Sequence, residues 1–237
     1  MNGLAQRGPG RVRQNNEALL LAAAEATFAE HGFKGASTGM IAERAGLPKA
    51  NLHYYFGSKQ ALYKAVLTRI LLLWKDSLDR LNADDEPGEA LAGYIRHKLE
   101  FSWQQPIASK VFAMEVISGG ACLEALLDEQ FRDWFAGRVA VFRAWTAAGK
   151  MDAVDPLHLI FLLWSSTQHY ADFAVQIGSM LSQRNPLEAS LDEVCASLTG
   201  IILQGCGVRV DKARQRQTNS LRFSNILSST GAGLGME

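Results

Sequence analysis

Apolar residues recur every three or four positions through most of the 237-residue chain, which is the spacing of helices with one buried face. Near the start, Leu20, Ala24 and Phe28 follow this spacing and predict a helix over residues 14–31, closed by Gly32. No segment alternates apolar and polar residues between hairpin turns, as a strand would. The pattern therefore predicts an all-α protein of about nine helices.

Six further helices are predicted in the larger, C-terminal part of the chain, and most end at glycine, proline or a polar turn. The first is long enough to join the residues before it rigidly to those after it. The predicted bounds are 60–81, 89–105, 106–117, 121–148, 157–182 and 187–205.

Two short helices joined by a tight turn precede the long one. Ser37 or Thr38 can cap the first by accepting a hydrogen bond from a free backbone N–H. Gly46 ends it, because the turn needs a residue that tolerates a left-handed backbone. Pro48 suits the first turn of the second helix, which runs to residue 55 or 56. Helices this short need a third helix behind them and a partner surface in front.

The second short helix presents polar side chains that suit a DNA duplex. Lysine and asparagine can bond base edges in the major groove, while a tyrosine hydroxyl or a lysine ammonium suits phosphate oxygens. The candidate contacts are Lys49, Asn51, His53 and Tyr54, with Lys59 just after the helix. The alternative is that Asn51 and His53 are solvated surface residues and that the following aromatic residues are core.

A pattern at fixed spacing resembles the DNA-binding signature of TetR-family transcriptional regulators. It is carried by Thr38, Ile41, Ala42, Ala45, Gly46, Leu47, Leu52, Tyr54, Tyr55, Phe56, Ser58, Lys59 and Leu62. The resemblance implies that Thr38, Tyr54 and Lys59 contact phosphates. It also implies that Lys49 and Asn51 face bases.

The charge distribution agrees with a protein that touches phosphate at one end. The chain as a whole has 24 Lys and Arg against 24 Asp and Glu. Residues 1–60 carry seven cations against four anions, and residues 61–208 carry twelve against eighteen. A basic end and an acidic middle favour a DNA partner at the N-terminal end.

Other classes of protein find no support in the sequence. The cysteines Cys122, Cys195 and Cys206 lack metal-ligand spacing, and no nucleophile with a base or phosphate-binding loop is present. We therefore expect no enzyme activity, no metal and no cofactor. No apolar run reaches the roughly 18 residues of a membrane helix, and no signal-peptide core is seen, so we expect a cytoplasmic protein without a membrane partner.

Four segments are predicted along the chain. They are a flexible basic arm at 1–13, a helix-turn-helix DNA-binding domain at 14–59, a helical ligand-binding and dimerisation domain at 60–208, and a mobile tail at 209–237. The arm can follow the DNA backbone, or it is simply an unstructured terminus. In the TetR family the last two helices build a four-helix dimer interface, which implies a homodimer on a palindromic operator.

The run from residue 164 to 173, WSSTQHYADF, places polar residues in a helix that is otherwise core-like. One face of such a helix can line a ligand pocket while another meets a partner subunit. The alternative is structural: His169 and Asp172 pair across the dimer interface, Gln168 is a satisfied buried amide, and the aromatic residues are packing.

Residues 14–178 also resemble the pyrimidine-utilisation repressor branch of the TetR family, whose members respond to uracil or thymine. By matching positions, Gln168 would read the polar edge of the base, Trp74 and Trp164 would form apolar walls, and Arg96 would bind a carbonyl oxygen. The implied function is a repressor released by a small molecule. The alternatives are a TetR-family regulator of another small hydrophobic or aromatic metabolite, and a DNA-binding protein without a ligand.

Overall fold

The computed structural model of the protein describes residues 10–181 and 186–208, and within them all regular structure is helical. The eleven helices in these residues are α1 (Arg11–Gly35), α2 (Thr38–Ala45), α3 (Lys49–Phe56), α4 (Lys59–Asp79), α5 (Pro87–Gln104), α6 (Pro106–Ile117), α7 (Ala121–Glu124), α8 (Glu129–Ala147), α9 (Pro156–Asp172), α10 (Ala174–Leu181) and α11 (Pro186–Gly205). The all-α prediction is confirmed.

Helices α1 to α3 form a head in which local sequence signals set each turn. The Ser37 hydroxyl accepts a hydrogen bond from the Met40 backbone N–H at 3.2 Å and so caps α2. Gly46 ends α2 with φ 64°, in the left-handed region that the sequence required of it. Ile41 and Leu52, both fully buried, hold α2 and α3 against α1.

Helix α4 belongs to two hydrophobic cores. Its first half contributes Leu62, Val66 and Ile70 to a head core shared with α1, α6 and α7. Its last turn contributes Leu78 to a body core built from α5, α8, α9 and α11. The long helix therefore joins the head to the body through packed contacts at both ends.

Three sequence predictions about the helices need correction. Helix α1 begins at Arg11, so residues 11–13 are its first turn and not part of an arm; residues 1–9 lie outside the described ranges. The segment predicted at 121–148 is two helices, because Asp128 caps a new helix by accepting from the Phe131 N–H at 2.9 Å. The segment predicted at 157–182 is interrupted at Phe173. These breaks raise the number of helices above nine.

Two further expectations concern membrane-spanning helices and the C-terminal tail. In the described residues, none of the helices combines the length and the apolarity that crossing a bilayer would require. The predicted tail at 209–237 lies outside the described residues.

Candidate nucleic-acid interface and effector site

Helix α3 turns one face to the head core and the other to solvent. Leu52 is completely buried, whereas the neighbouring Tyr54 is 74% exposed. Lys49 and His53 are exposed, and Asn51 and Thr38 are half-buried. Five predicted DNA contacts therefore have side chains that solvent reaches, on α3 or at the first residue of α2. This is the arrangement of a helix that enters a groove while its apolar face stays anchored.

Lys59 differs from the other predicted contacts. Its ammonium donates hydrogen bonds to the carbonyl oxygens of Phe33 at 2.8 Å and Ala36 at 2.9 Å. It also lies 4.6 Å from the centroid of the Phe33 ring. The side chain fastens the start of α4 to the junction of α1 and α2, a role that the sequence pattern did not reveal.

The start of α1 lies beside α3. The Asn16 amide donates a hydrogen bond to the Tyr55 hydroxyl at 3.2 Å, and the Arg13 guanidinium lies 6.0 Å from the centre of the Tyr55 ring. Arg13, which the sequence analysis assigned to the arm, is thus a cation held close to α3. The sequence signal was available, since Arg13 and Glu17 have the i, i+4 spacing of a helical ion pair and lie 2.8 Å apart.

A second cluster of polar groups lies between α4, α5, α6 and α9. Lys98 of α5 is only 2% exposed, and its ammonium lies 4.5 Å from the centre of the Trp74 ring on α4. Burial lowers the pKa of Lys98 from 10.5 to about 7, although the negative charge of Asp172 opposes this effect. A charged side chain at this depth is uncommon in a structural core.

Asp172, at the end of α9, accepts a hydrogen bond from the Ser109 hydroxyl of α6 at 2.5 Å. Burial raises the pKa of its carboxyl group, while the bond from Ser109 and the charge of Lys98 oppose the rise. In the described part of the chain, no ion-pair contact within 4.0 Å joins Asp172 to Lys98. The two opposite charges thus face the same region without direct contact.

Aromatic rings line this region. The ring centroids of Trp74 and Phe112 are 4.4 Å apart, and those of Trp74 and Phe101 are 6.5 Å apart. The indole N–H of Trp74 is buried and has no hydrogen-bond partner among the described residues. Flat apolar walls beside unpaired polar groups are what a site for a small aromatic ligand needs.

The four predicted ligand residues do not all meet in this cluster. Trp74 belongs to it. Gln168 is half-buried and lies one helical turn before Asp172, so the two share a face of α9. The indole N–H of Trp164 instead donates to the Tyr94 hydroxyl at 2.9 Å, and Trp164 packs against the body core.

Arg96 lies outside the cluster. Its guanidinium bonds the Asp192 carboxylate of α11 at 2.5 Å and lies 3.6 Å from Glu100. Residues two apart on a helix point in different directions, so Arg96 cannot share the environment of Lys98. Its partners among the described residues are two carboxylates, those of Asp192 and Glu100.

The sequence pattern did not single out Lys98 or Ser109, and it offered Asp172 only as a partner of His169 across a dimer interface. A signal existed for Lys98. It follows Leu91, Tyr94 and Ile95 at helical spacing, and Leu99 continues the same buried stripe of α5. A lysine in line with four core residues indicates a buried charge. The bond between Ser109 and Asp172 joins residues 63 positions apart and had no local signal.

A neighbouring face of α9 borders an open groove of about 620 Å³. Its lining is mostly apolar and includes Leu162, Ser165, His169, Ile177, Met180 and Leu198. Leu162 is 50% exposed and Met180 is 74% exposed, so this face of α9, α10 and α11 presents apolar side chains to solvent. Exposed apolar surface of this kind is typical of a protein interface.

Comparisons with known proteins match the N-terminal part of the chain and the rest of it to two separate family models. Residues 20–66 match the family model described as bacterial regulatory proteins, tetR family, and residues 67–209 match that of the YcdC-like protein, C-terminal region. Over 194 residues the chain is 40% identical to the HTH-type transcriptional regulator RutR of Escherichia coli K12, covering 82% of this chain and 91% of RutR.

More distant relatives share part of the sequence or the fold. The HTH-type transcriptional activator FasR of Mycolicibacterium smegmatis is 31% identical over 144 residues, which cover 54% of this chain and 64% of FasR. The crystal structure of a TetR-like transcriptional regulator from Rhodococcus sp. RHA1 superimposes with a TM-score of 0.60 at 22% identity, covering 84% of this chain and 98% of that one.

Proposed function

The chain belongs to the TetR family of helix-turn-helix transcriptional regulators, and from this premise we propose that it is a dimeric repressor that a small molecule releases from DNA. The observation that carries the proposal is that one helix, α4, packs into both hydrophobic cores and so joins two candidate sites. The exposed face of α3 suits a duplex, the cluster around Lys98 suits a small ring, and α4 packs into both cores.

The DNA contacts follow from the exposure of the head. Lys49 and Asn51 reach base edges in the major groove, and Thr38 and Tyr54 bind phosphates, with His53 beside them. Lys59 uses two of its three N–H donors on backbone carbonyls, which leaves one donor for a phosphate. Its larger effect is to hold the head in shape.

A homodimer presents two such heads. The apolar side chains on α9 to α11 supply a surface for a second copy, and two-fold symmetry then sets the two α3 helices roughly 34 Å apart, one turn of DNA, as a palindromic operator requires. The dimer interface belongs to the segment at 60–208, and the DNA-binding segment is 14–59.

The effector we propose is uracil or thymine. The resemblance to the pyrimidine-utilisation branch supports it, as does the 40% identity to RutR over most of both chains. The aromatic walls at Trp74, Phe101 and Phe112 accept a flat ring, and the amide of Gln168 lies one turn from the carboxylate of Asp172. Trp164 and Arg96, which bond other protein groups, are left out of this site.

Release from DNA requires that the effector bind the conformation of the dimer that does not fit DNA more tightly than the conformation that does. Its site touches α4, and α4 leaves the head at Lys59. A tilt of α4 that accommodates the ligand changes the separation of the two heads and weakens their joint contact with the operator. The protein acts by binding, without catalysing a reaction, and we place it in the cytoplasm with its DNA.

The test is the release of operator DNA by pyrimidines. The inverted repeat nearest the protein's own gene is labelled, and fluorescence anisotropy follows the complex as uracil, thymine or cytosine is added. Uracil or thymine should dissociate the complex, and cytosine, with an amino group in place of one carbonyl, should do so less well. A complex that no pyrimidine releases would leave a DNA-binding regulator with a different effector or none.

A further inference from the structure

Lys98 is the most unusual group in the effector cluster, because it carries a charge into the protein without a direct bonding partner. Its side chain is 2% exposed, and in the described residues its nearest recorded contact is the face of the Trp74 ring at 4.5 Å. An ammonium that is removed from water and left without hydrogen bonds destabilises a fold. Such a group persists in a protein when something else binds it.

Trp74, whose ring the Lys98 ammonium contacts, carries a second hydrogen-bond donor. The indole N–H of Trp74 is buried and unpaired within the described part of the chain, and an indole nitrogen can only donate. The ammonium of Lys98 lies over the face of the Trp74 ring, and the N–H at the edge of that ring has no acceptor among the described residues. The chemistry they lack is that of an oxygen with free lone pairs.

The carboxylate of Asp172 supplies the opposite chemistry nearby. The Ser109 hydroxyl bonds one of its oxygens at 2.5 Å and orients it. If Lys98 and Asp172 were a structural ion pair, we would expect them to close to hydrogen-bond distance, since only good geometry offsets the loss of water from two charges. They are attracted to each other but lie beyond the 4.0 Å limit of an ion pair. Each of the two groups therefore keeps hydrogen-bonding capacity that a polar ligand can use.

We propose that Lys98 and Trp74 form an acceptor-binding subsite, in which the ammonium and the indole N–H bind an exocyclic oxygen of the effector while Asp172 accepts a hydrogen bond from a ring N–H. The inference rests on the proposed function in placing an effector in the body. It names the class of ligand: a planar cyclic amide, imide or ureide with a carbonyl beside a ring N–H. Rings of equal size without a hydrogen-bond acceptor are rejected, because they leave both donors unpaired.

Isothermal titration calorimetry on the full-length protein tests the subsite. The probes are uracil and benzene, which is an aromatic ring of the same size without any hydrogen-bond acceptor atom. Wild-type protein should bind uracil at least about tenfold more tightly than benzene, since a hydrogen bond to a charged group has this value. Lys98→Met should weaken uracil binding by about tenfold or more and leave benzene binding little changed. Lys110→Met, an exposed lysine on α6, is the matched control and should behave as wild type.

Uracil binding that is equally tight in Lys98→Met overturns the subsite but leaves a pyrimidine effector in place. If Lys98→Met has a lowered melting temperature, Trp74→Phe is tested instead, because this variant keeps an aromatic ring and removes the N–H. Weaker uracil binding supports the subsite and unchanged binding overturns it. If wild-type protein binds neither uracil nor thymine, the pyrimidine effector fails, and 2-pyridone, a planar cyclic amide, becomes the probe. 2-Pyridone binding that Lys98→Met abolishes supports the subsite, and absence of 2-pyridone binding overturns it.

Discussion

The ammonium of Lys59, the first residue of α4, lies 2.8 Å from the carbonyl oxygen of Phe33 in the last turn of α1. A second bond, to Ala36, reaches the residue that links α1 to α2. The helix that leads to the body is therefore attached to the head by a side chain as well as by the chain itself. We expect a movement of α4 to change these contacts at the base of the helix-turn-helix.

Replacing Lys59 by methionine should lower the stability of the protein, because two partly buried carbonyl groups lose a charged donor. We expect a loss of about 2 kcal/mol in the free energy of unfolding. Urea denaturation followed by circular dichroism measures it. Lys49→Met, at an exposed lysine of α3, is the control and should leave stability unchanged. Equal stability of the two variants would show that Lys59 is free to act on DNA alone.

Tyr54 is 74% exposed, so we expect it to contribute to DNA binding and not to the stability of the fold. Tyr54→Phe removes only the hydroxyl, and we expect operator affinity to fall by about 1 kcal/mol per half-site while the melting temperature stays constant. Fluorescence anisotropy and differential scanning fluorimetry provide the two readouts. Full affinity in this variant would place the phosphate contact elsewhere on the head.

Lys49 should contribute by reading a base. Lys49→Ala should lower operator affinity by about 1–3 kcal/mol for each half-site and relax the preference at one base pair, because Lys49 is proposed to reach a base edge in the major groove. Anisotropy titrations with operators changed at one base pair at a time measure both effects. Lys110→Ala, on the exposed side of α6, serves as the control. An unchanged preference at every base pair, together with a salt slope lowered by about one for each subunit, would mean that Lys49 binds a phosphate instead.

The burial of Lys98 predicts a pH dependence of stability. Its pKa falls from 10.5 in a solvated lysine to about 7 in the folded protein, so between these values the unfolded chain binds more protons than the folded one. Stability should therefore rise as the pH increases from about 7 toward 10. Groups with raised pKa values, such as Tyr94, act in the other direction at high pH. The measurement is therefore the difference between the melting curves of wild type and Lys98→Met, and parallel curves would contradict the prediction.

The apolar face of α9 predicts how the protein associates. Leu162→Glu places a charge in the proposed interface and should convert a dimer into a monomer at micromolar concentration, as sedimentation equilibrium will show. Leu72→Glu is the matched control, because Leu72 is 59% exposed on α4, outside that face. If both variants are monomers, or if both are dimers, the result would argue against this face as the dimer interface.

The head could be predicted from sequence more fully than the effector site. The cap at Ser37 and the glycine at Gly46 act on backbone groups within a few residues, so their effect is visible in the sequence. Gln168, Trp74 and Trp164 were predicted as ligand contacts through resemblance, although the indole N–H of Trp164 donates to the Tyr94 hydroxyl. Resemblance identifies residue types at matching positions, but it does not report which neighbour each side chain meets.

The sequence by itself determined the helices, the turn between α2 and α3, and the exposed polar face of α3, because periodicity and capping depend on residues close together in the chain. Only the tertiary structure decided that Lys59 holds α1, that Arg96 bonds Asp192, and that Lys98 is buried near Asp172. Each of these depends on helices far apart in sequence packing at one angle and one register. Long side chains with several rotamers find their partners only after that packing is set.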